Sequence, residues 1–200
     1  MTTETAADTA DIDAMTPEEL RAEVARLREK LIRAEWSIAE LEERADADSM
    51  LAVLNRRGFE RELTRSIAFT KRYGTPAVLM YIDLDGFKTI NDRHGHAAGD
   101  ALLKAIISDL VRNLRASDVV GRLGGDEFGA VLWNTGPTQA AAKGESLEAL
   151  IARVSVDYQG LTLACGASAG VVALDPDSDM ATMLEAADRA MYARKRARRS

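Results

Sequence analysis

The apolar and polar positions of the chain first become periodic near residue 16, where they predict a helix with coiled-coil spacing. Thr16 can cap this helix, Pro17 suits its first position, and Glu19 stands three residues after the cap. Apolar residues then recur at alternating steps of three and four, which is typical of a coiled-coil seam. The seam consists of Leu20, Val24, Leu27, Leu31, Ala34, Ile38 and Leu41. We predict a dimerising coiled-coil helix over residues 16–46.

The charged residues beside the seam favour a parallel homodimer. In a parallel pair, Glu23 of one helix faces Arg28 of the other and Lys30 faces Glu35, so both contacts are attractive. The seam covers only about three heptads. The alternative is therefore a single helix that folds back on its own domain, or a solvated amphipathic helix.

From residue 47 onward, the pattern changes to helices that alternate with short apolar strands. Short turns between strand pairs favour antiparallel pairing. We therefore predict one α+β domain over residues 47–200, with a central, mostly antiparallel sheet flanked by helices. The expected elements are a helix over about 56–73, the buried strand AVLMYIDLD, a short helix from Phe87, a helix over about 99–114, a hairpin around Gly124, a helix over about 138–155, a hairpin within 159–174 and a terminal helix from about residue 179.

Charge is distributed unevenly along the chain. Residues 1–50 contain 14 acidic and 6 basic residues, against 18 and 20 in the remainder, so the net charge of −6 arises from the N-terminal arm. Residues 1–15 are small, polar and acidic, and we expect a disordered lead there. We find no apolar run long enough to span a membrane and no signal peptide, so we expect a cytoplasmic protein. The single cysteine, Cys165, lies in an apolar run, and we assign it no chemistry.

Acidic residues stand at the ends of two predicted strands. The strand AVLMYIDLD ends in Asp83 and Asp85, whose side chains point to one face of a sheet, and the hairpin carries Asp126 and Glu127 after two glycines. If these segments are neighbours, their carboxylates repel one another unless a divalent cation neutralises them. We therefore predict a site for Mg²⁺ or Mn²⁺, which in turn suggests a nucleoside triphosphate. The alternative is a plain glycine turn with solvated acids.

The segment after the acidic strand has features of a phosphate and base site. The backbone N–H groups of Gly86, Phe87 and Lys88 would open a helix directly after the strand end, where phosphate oxygens bind well. Asn91 and Asp100 flank the following loop and suit the donors and acceptors of a purine edge. Phosphate and metal sites would then be adjacent.

The chain ends in a basic segment. Lys195 and Arg199 lie four positions apart on one face of the predicted terminal helix, so they can reach a triphosphate together. We expect the remaining basic residues of this segment to serve solubility; they are Arg189, Arg194, Arg196 and Arg198.

With these residues assembled, the chain resembles the GGDEF family of diguanylate cyclases over about residues 47–200. The hairpin contains Gly-Gly-Asp-Glu-Phe, and the family pattern D-x-D-x-F-K-x-x-N-D-x-x-G-H-x-x-G-D is met further upstream. The resemblance implies a nucleotidyl-cyclase fold related to the polymerase palm, and condensation of two GTP into cyclic di-GMP with release of two pyrophosphates. The residues that meet the pattern are Asp83, Asp85, Phe87, Lys88, Asn91, Asp92, Gly95, His96, Gly99 and Asp100.

The resemblance also implies a role for each candidate site residue. Glu127 is implied either as a metal ligand or as the base that takes the proton from the attacking hydroxyl. The implied roles are metal binding for Asp83, Asp126, Glu127 and the carbonyl of Ile82 or Leu84, guanine contact for Asn91 and Asp100, phosphate contact for Lys195 and Arg199, and close backbone approach for Gly124 and Gly125.

The implied reaction needs two copies of the domain. One domain holds one GTP, so two domains must meet and the catalytic unit is a homodimer. The coiled coil then raises the effective concentration of the two domains. The N-terminal arm is also a candidate surface for a protein partner, and no sensory domain is recognisable.

Arg115 and Asp118 resemble the RxxD product-inhibition motif of the family, at its usual position before the hairpin. Arginine can bond two acceptors of guanine at once, and an aspartate can accept from its amine face. We predict feedback inhibition by cyclic di-GMP at these residues. The alternative is a pair of surface residues that close a helix.

The chain departs from the family pattern at both ends of the domain. Leu51 and Ala52 stand where the family usually has Thr-Gly in the turn that begins the domain, which affects the coupling to the coiled coil. Arg194 replaces a small residue, and Arg198 and Ser200 replace Gly and Asn around the expected phosphate contact. These changes are expected to shift phosphate affinity.

Two other functions compete with that of an active cyclase. The first is a catalytically silent relative that binds cyclic di-GMP through Arg115 and Asp118 and signals to a protein partner. The intact metal and guanine residues favour the active enzyme instead. The second is nucleic-acid binding through the basic segment, which the net charge of −6 disfavours.

Overall fold

The computed structural model describes residues 15–199, except the side chains of residues 38–44, 137 and 199. The chain divides into two compact units between Ala45 and Asp46. The predicted disordered lead, residues 1–15, lies outside the described residues except for its last position. Within the described part of the chain, each helix is too short or too polar to cross a membrane.

The first unit is formed by helix α1, Pro17–Asp46, up to the division. Its start is the predicted capping box, because the Thr16 amide donates to Glu19 Oε2 at 2.8 Å and the Glu19 amide donates to Thr16 Oγ1 at 3.3 Å. These hydrogen bonds lower the pKa of Glu19. The seam side chains Val24, Leu27 and Leu31 are exposed, whereas those of Ile38 and Leu41 lie outside the described residues.

The second unit contains five helices and six strands among its described residues, apart from the end of α1. Helix α2 is capped as its sequence demands, since the Asn55 side chain accepts from the Gly58 amide and Gly74 ends the helix with φ of 66°. The elements are α2 (Arg56–Tyr73), β1 (Ala77–Asp85), α3 (Phe87–His94), α4 (His96–Arg112), β2 (Val119–Arg122), β3 (Glu127–Trp133), α5 (Pro137–Ile151), β4 (Val156–Tyr158), β5 (Leu161–Leu163), β6 (Gly166–Ala173) and α6 (Met180–Arg199).

Four strands form a sheet in the order β2-β3-β1-β6, and each neighbouring pair is antiparallel. Strands β4 and β5 form a separate two-stranded sheet. Strand β1 lies inside the four-stranded sheet and is almost fully buried, as its continuous apolar run predicts. The predicted α+β class, with a mostly antiparallel sheet flanked by helices, is confirmed.

The two faces of the sheet carry different helices. Met80 and Ile82 pack with residues of α3, α4 and α5 in one core cluster, whereas Leu79 and Tyr81 pack with residues of α2 and α6 in the other. Because side chains alternate along a strand, Asp83 lies on the same face as Tyr81, the face covered by α2 and α6. The acidic end of β1 is therefore within reach of the terminal helix.

One predicted hairpin and two predicted helix boundaries were wrong. Residues Gly166–Ala173 form β6 and pair with β1, so the predicted hairpin within 159–174 is instead the β4-β5 hairpin at residues 156–163. Its turn is Gln159-Gly160, where both residues have positive φ, of 51° and 81°. Helix α4 begins at His96 rather than near residue 99, and α5 ends at Ile151 rather than near residue 155.

The turn that begins the domain forms without the usual Thr-Gly. The Asp48 carboxylate accepts from the amides of Met50 and Leu51 at 2.9 and 2.8 Å, and the Asp48 amide donates to the Val53 carbonyl at 2.9 Å. The turn is anchored to the sheet, because the Leu54 amide donates to the Val120 carbonyl at 3.1 Å. Leu51 contributes a buried side chain to the core at the position of the missing threonine.

Candidate active site

Strand register brings the two acidic segments together. Asp83 of β1 pairs directly with Glu127 of β3, and the Leu84 amide donates to the Asp126 carbonyl at 3.1 Å. Residues directly opposite in an antiparallel pair share a face, so the side chains of Asp83 and Glu127 lie on the same side of the sheet. The end of β1 and the glycine hairpin are thus neighbours, which is the condition on which the predicted metal site depends.

The glycine hairpin is held in shape by its own backbone and by Arg122. The Leu123 amide donates to the Glu127 carbonyl at 2.8 Å, and the Arg122 guanidinium donates to the carbonyls of Gly124 and Gly125 at 3.0 and 2.8 Å. A Cβ atom at Gly124 would lie 2.7 Å from Glu127 Oε2. Glycine at this position therefore leaves space for the Glu127 carboxylate, a reason beyond turn formation.

The acidic end of the sheet concentrates negative charge. Burial, followed by the nearby charge of Asp83, raises the pKa of Asp126 above its usual value. The same environment acts on Cys165, whose pKa is raised to about 11 by burial and by the charges of Asp85 and Asp126. This thiol is therefore protonated at neutral pH, in agreement with the absence of an assigned role.

Lys195 of α6 is the counter-charge to this acidic end. Its ammonium pairs with Asp83 Oδ1 and lies 3.1 Å from Asp85 Oδ1. Burial lowers the pKa of Lys195, but the hydrogen bonds with both aspartates outweigh burial, so the pKa is raised. Asp85 also accepts a 2.9 Å hydrogen bond from the Ser168 hydroxyl of β6. Lys195 is therefore held at the predicted metal position.

The donor set fits a cation that needs few protein ligands. Among the described residues, no three acidic, histidine or cysteine side chains are grouped closely enough to hold a metal ion. The neighbouring pair is Asp83 and Asp126, and the pKa of Asp126 is raised first by burial and then by the charge of Asp83, both of which a bound cation would offset. Mg²⁺ usually takes one or two protein carboxylates and completes its shell with water and phosphate. The residues present therefore suit Mg²⁺ or Mn²⁺ bound together with a nucleotide.

The Glu127 side chain has a neighbour that the sequence did not reveal, the hydroxyl of Tyr81. Tyr81 is a buried residue of β1, and burial together with the charge of Glu127 and a hydrogen bond to it raises the pKa of the Tyr81 hydroxyl well above its usual range. This hydroxyl therefore stays protonated beside the Glu127 carboxylate. A tyrosine in an apolar strand gives no signal of this contact before the register is known.

The predicted phosphate and purine residues lie on α3 and α4. Helix α3 begins at Phe87, directly after Gly86 with φ of 78°, so its N-terminus adjoins the acidic end of β1. Asn91 lies on α3 and Asp100 on α4, and both are half-buried. A Cβ atom at Gly99 would lie 1.9 Å from Asn91 Oδ1. Gly99 therefore leaves the space that the Asn91 amide occupies.

Of the two phosphate contacts predicted on α6, the structure describes the side chain of one. Lys195 points to the acidic end of the sheet through its pairs with Asp83 and Asp85. The side chain of Arg199, the second predicted contact, lies outside the described residues. Lys88 is exposed at the beginning of α3.

Arg115 and Asp118 form a separate polar site. The Arg115 amide donates to Asp118 Oδ2 at 2.9 Å, and the Trp133 amide donates to Asp118 Oδ1 at 3.2 Å. Asp118 is thus fixed by backbone groups, while the Arg115 side chain remains exposed. The two residues border a cavity of about 230 Å³, with Asn113, Leu132, Thr135, Gln139 and Lys143 as the other lining residues.

The antiparallel sheet has helices on both faces and paired acidic residues at the hairpin end of its inner strands. This is an α+β domain of the kind seen in solved GGDEF-family proteins. Comparison with known families gives the same result. The chain belongs to the GGDEF family, because the family model described as diguanylate cyclase, GGDEF domain, matches residues 45–200. The resemblance seen in the sequence is thereby confirmed.

Individual relatives agree with this membership. The chain is 36% identical over 152 residues to the probable diguanylate cyclase DgcE of Escherichia coli (strain K12), which covers 76% of this chain and 14% of DgcE. A solved sensory box/GGDEF family protein from Caulobacter crescentus is 35% identical with a TM-score of 0.71, over 76% of this chain and 99% of that one. The coiled coil and GGDEF domain of Caulobacter crescentus DgcB, in complex with c-di-GMP, is 25% identical with a TM-score of 0.75, over 89% and 95%. The chain spans less than half the length of the first curated relatives it matches.

Proposed function

We propose that this chain is a diguanylate cyclase that condenses two GTP into cyclic di-GMP and releases two pyrophosphates. The observation that carries the proposal is the strand register, which sets Asp83 opposite Glu127 and bonds Leu84 to the Asp126 carbonyl beside a glycine turn. Membership of the GGDEF family supports it. Because GTP is an intracellular nucleotide, the proposed reaction requires a cytoplasmic location.

In this proposal the acidic end binds the divalent cation. Asp83, Asp126 and the Leu84 carbonyl hold Mg²⁺ or Mn²⁺, with Glu127 as a further ligand or as the base for the attacking 3′-hydroxyl. When bound, the metal lowers the pKa of that hydroxyl and neutralises charge that develops on the α-phosphate. Tyr81 presents a neutral hydroxyl beside the Glu127 carboxylate.

The nucleotide is positioned by residues on both sides of the acidic end. Asn91 and Asp100 contact the guanine, and the half-buried position of both limits their rotation. The triphosphate lies near the start of α3, with the amides of Gly86, Phe87 and Lys88 as donors. The remaining proposed contacts are Gly124 and Gly125 for backbone approach and Lys195 and Arg199 for phosphate oxygens.

Catalysis requires two domains, and we propose that the helix α1 supplies the second one by forming a parallel coiled coil. The exposed seam residues Val24, Leu27 and Leu31 support this, since an isolated helix gains little from apolar side chains in water. The similar DgcB structure contains a coiled coil together with its GGDEF domain. A protein partner of the same arm would then act by changing this assembly.

Arg115 and Asp118 are the proposed site of product inhibition. Asp118 is fixed by two backbone amides, and the exposed Arg115 side chain makes one long hydrogen bond, from Nη1 to the Trp133 carbonyl at 3.4 Å, which suits a pair that reads a guanine edge. The similar DgcB structure is a complex with c-di-GMP. Feedback at this site would limit the product concentration without changing the acidic end.

A direct assay tests the enzyme. The purified chain with GTP and Mg²⁺ should produce cyclic di-GMP, detected by mass spectrometry, and Asp126→Ala should abolish production. Asp157→Ala is the matched control, because the exposed Asp157 carboxylate accepts from the Thr162 hydroxyl within the β4-β5 hairpin, away from the acidic end. Binding of cyclic di-GMP without turnover by the wild-type chain would identify a silent receptor and refute the enzyme.

Dimerisation through helix α1 has its own test. Leu27→Lys with Leu31→Lys places like charges in the seam, so activity should become strongly dependent on protein concentration. Ile32→Lys is the matched control, since Ile32 is equally exposed but lies outside the seam. Unchanged activity of the seam variant at dilute concentration would contradict a dimerising role for α1.

A further inference from the structure

Glu148 of α5 is a buried carboxylate that the proposed chemistry does not use. Its side chain is 3% exposed. Glu148 Oε1 accepts from Arg194 Nε at 2.8 Å, and Oε2 accepts from Arg194 Nη2 at 2.9 Å and also from Arg198 Nη2. Both arginines belong to the last turns of α6. The group of Glu148, Arg194 and Arg198 is called the Glu148 clamp below.

The clamp also binds the edge of the sheet. Strand β6 is the last strand of the order β2-β3-β1-β6, so one side of its backbone has no strand partner there. The Ala169 amide donates to Glu148 Oε1 at 2.8 Å, and Arg198 Nη1 donates to the Ala167 carbonyl at 2.7 Å. The clamp therefore fixes α6 to both α5 and β6, and it satisfies backbone groups that would otherwise be exposed at an edge.

The position of Lys195 is tied to the clamp by the helix itself. Lys195 follows Arg194 directly and precedes Arg198 by three residues, so all three belong to one turn of α6. The Arg194 guanidinium binds the carboxylate through two parallel hydrogen bonds, a geometry that fixes orientation as well as distance. The turn cannot rotate or fray without breaking these bonds, and any such movement would withdraw Lys195 from Asp83 and Asp85.

We propose that the Glu148 clamp positions Lys195 at the acidic end of the sheet for phosphate binding. This inference rests on the proposed function, in which Lys195 contacts the triphosphate from that position. The clamp residues touch neither the acidic end nor the nucleotide site in the described contacts, so they are positioning residues.

Removal of the arginines tests the clamp. In Arg194→Ala with Arg198→Ala, amide hydrogen exchange of residues 190–199 in the ligand-free protein should accelerate by at least about tenfold, because a buried carboxylate loses its partners. Arg189→Ala is the matched control, since Arg189 lies on the same helix but forms an exposed pair with Glu185. If the double variant does not fold, Glu148→Gln is measured instead, because it keeps the size of the side chain and an acceptor for the Ala169 amide.

Kinetics then separate positioning from support of the fold. The clamp variant should show a KM for GTP about tenfold higher with kcat changed less than about threefold, because chemistry at the metal is intact. Arg194→Ala with Arg198→Lys, which keeps one charged donor, should have a KM for GTP between those of the wild type and of the double alanine variant. A fall in kcat with unchanged KM would mean only a loss of folded enzyme and would overturn the proposal.

The two proposals fail in different ways. If the wild-type chain makes no cyclic di-GMP, the proposed function fails, and the exchange measurement still decides whether the clamp holds the last turns of α6. If exchange of residues 190–199 is the same in wild type and clamp variant, the clamp inference is wrong even for an active enzyme.

Discussion

Replacement of Lys195 by methionine should have opposite effects on metal binding and on GTP binding. In the ligand-free protein the ammonium pairs with Asp83 and Asp85, which is where a divalent cation would bind. Methionine keeps the length of the side chain and removes its charge. Without nucleotide, Lys195→Met should therefore bind metal more tightly, because the internal competitor is gone. With nucleotide, the same variant should bind GTP more weakly, because a phosphate contact is lost.

The size of both effects follows from the burial of the pair. The Lys195 side chain is 18% exposed and that of Asp83 is 17% exposed, so the ion pair is weakly screened by solvent. A hydrogen bond to a charged group contributes about 1.5–3 kcal/mol. We count one such bond, because desolvation of the ammonium offsets part of the contribution of the second. This corresponds to a change of about 10- to 100-fold in affinity for the metal. The loss in GTP affinity should be of similar size.

Manganese is a suitable probe because its free form can be counted by electron paramagnetic resonance. Titration of wild type and Lys195→Met with Mn²⁺ in the absence of nucleotide gives the first dissociation constant. Titration with a non-hydrolysable GTP analogue in the presence of saturating metal gives the second. Lys71→Met is the matched control, since Lys71 also pairs with one aspartate, Asp177, at 3.1 Å but on the exposed surface. Both constants should be unchanged in the control.

The reversal of sign is the informative part of this experiment. A variant that binds both metal and nucleotide more weakly would mean that Lys195 only supports the local structure. Unchanged Mn²⁺ binding would mean that the ammonium does not compete with the cation. Either result refutes the argument that Lys195 is the resting counter-charge of the site.

Three further variants test separate parts of the structure. Asp126→Asn should stabilise the metal-free protein at neutral pH, because burial and the charge of Asp83 raise the pKa of Asp126 above that of an unfolded aspartate. Above the folded pKa, the charged carboxylate of the wild type lowers the free energy of unfolding, so the variant should be more stable by the full amount at neutral pH. This difference should vanish as the pH falls below the unfolded pKa of about 3.9. Urea unfolding in EDTA measures it, and an equal difference at neutral and at acidic pH would contradict the argument. Gly99→Ala should raise the KM for GTP about tenfold, because the new Cβ atom would lie 1.9 Å from Asn91 Oδ1 and must displace the amide; an unchanged KM would remove Asn91 from the guanine site. Arg115→Ala should abolish inhibition by added cyclic di-GMP and leave the initial rate unchanged, whereas inhibition of wild-type strength would place feedback elsewhere.

Elements with strong local signals were predicted well from the sequence. Helix α2 was expected over about 56–73, and the structure gives Arg56–Tyr73, because Asn55 caps its start and Gly74 ends it. Strand β1 was expected as the run AVLMYIDLD, and the structure gives Ala77–Asp85. Each of these features depends on a cap, a periodicity or a motif that is written in contiguous residues.

The failures concern contacts between distant parts of the chain. The segment Gly166–Ala173 was assigned to a local hairpin, yet it pairs with β1, which is more than 80 residues earlier. Alternation in the sequence predicts a strand but does not choose its partner. Gly170 shows what a local pattern conceals, since a Cβ atom there would lie 2.2 Å from the Met191 amide nitrogen. Its glycine is needed because α6 crosses β6 closely, and no neighbouring residue in the sequence indicates this.

Four basic residues of α6 were expected to serve solubility, apart from the expected phosphate contacts Lys195 and Arg199, and this was wrong for Arg194 and Arg198. Arg194 and Arg198 bind a buried carboxylate on α5, while Lys195, on the same turn, binds the aspartates of β1. Fixed guanidinium groups and one flexible ammonium are chemically suited to these different tasks, since arginine holds a carboxylate in a rigid fork and lysine carries a compact charge on a mobile stem. With the backbone of the turn held by the clamp, exchange of Lys195 between aspartate and phosphate requires only rotation of its side chain. In the proposed function, Asp83 would hold the metal ion beside the triphosphate, and Lys195 would then pair with phosphate instead of aspartate without movement of α6.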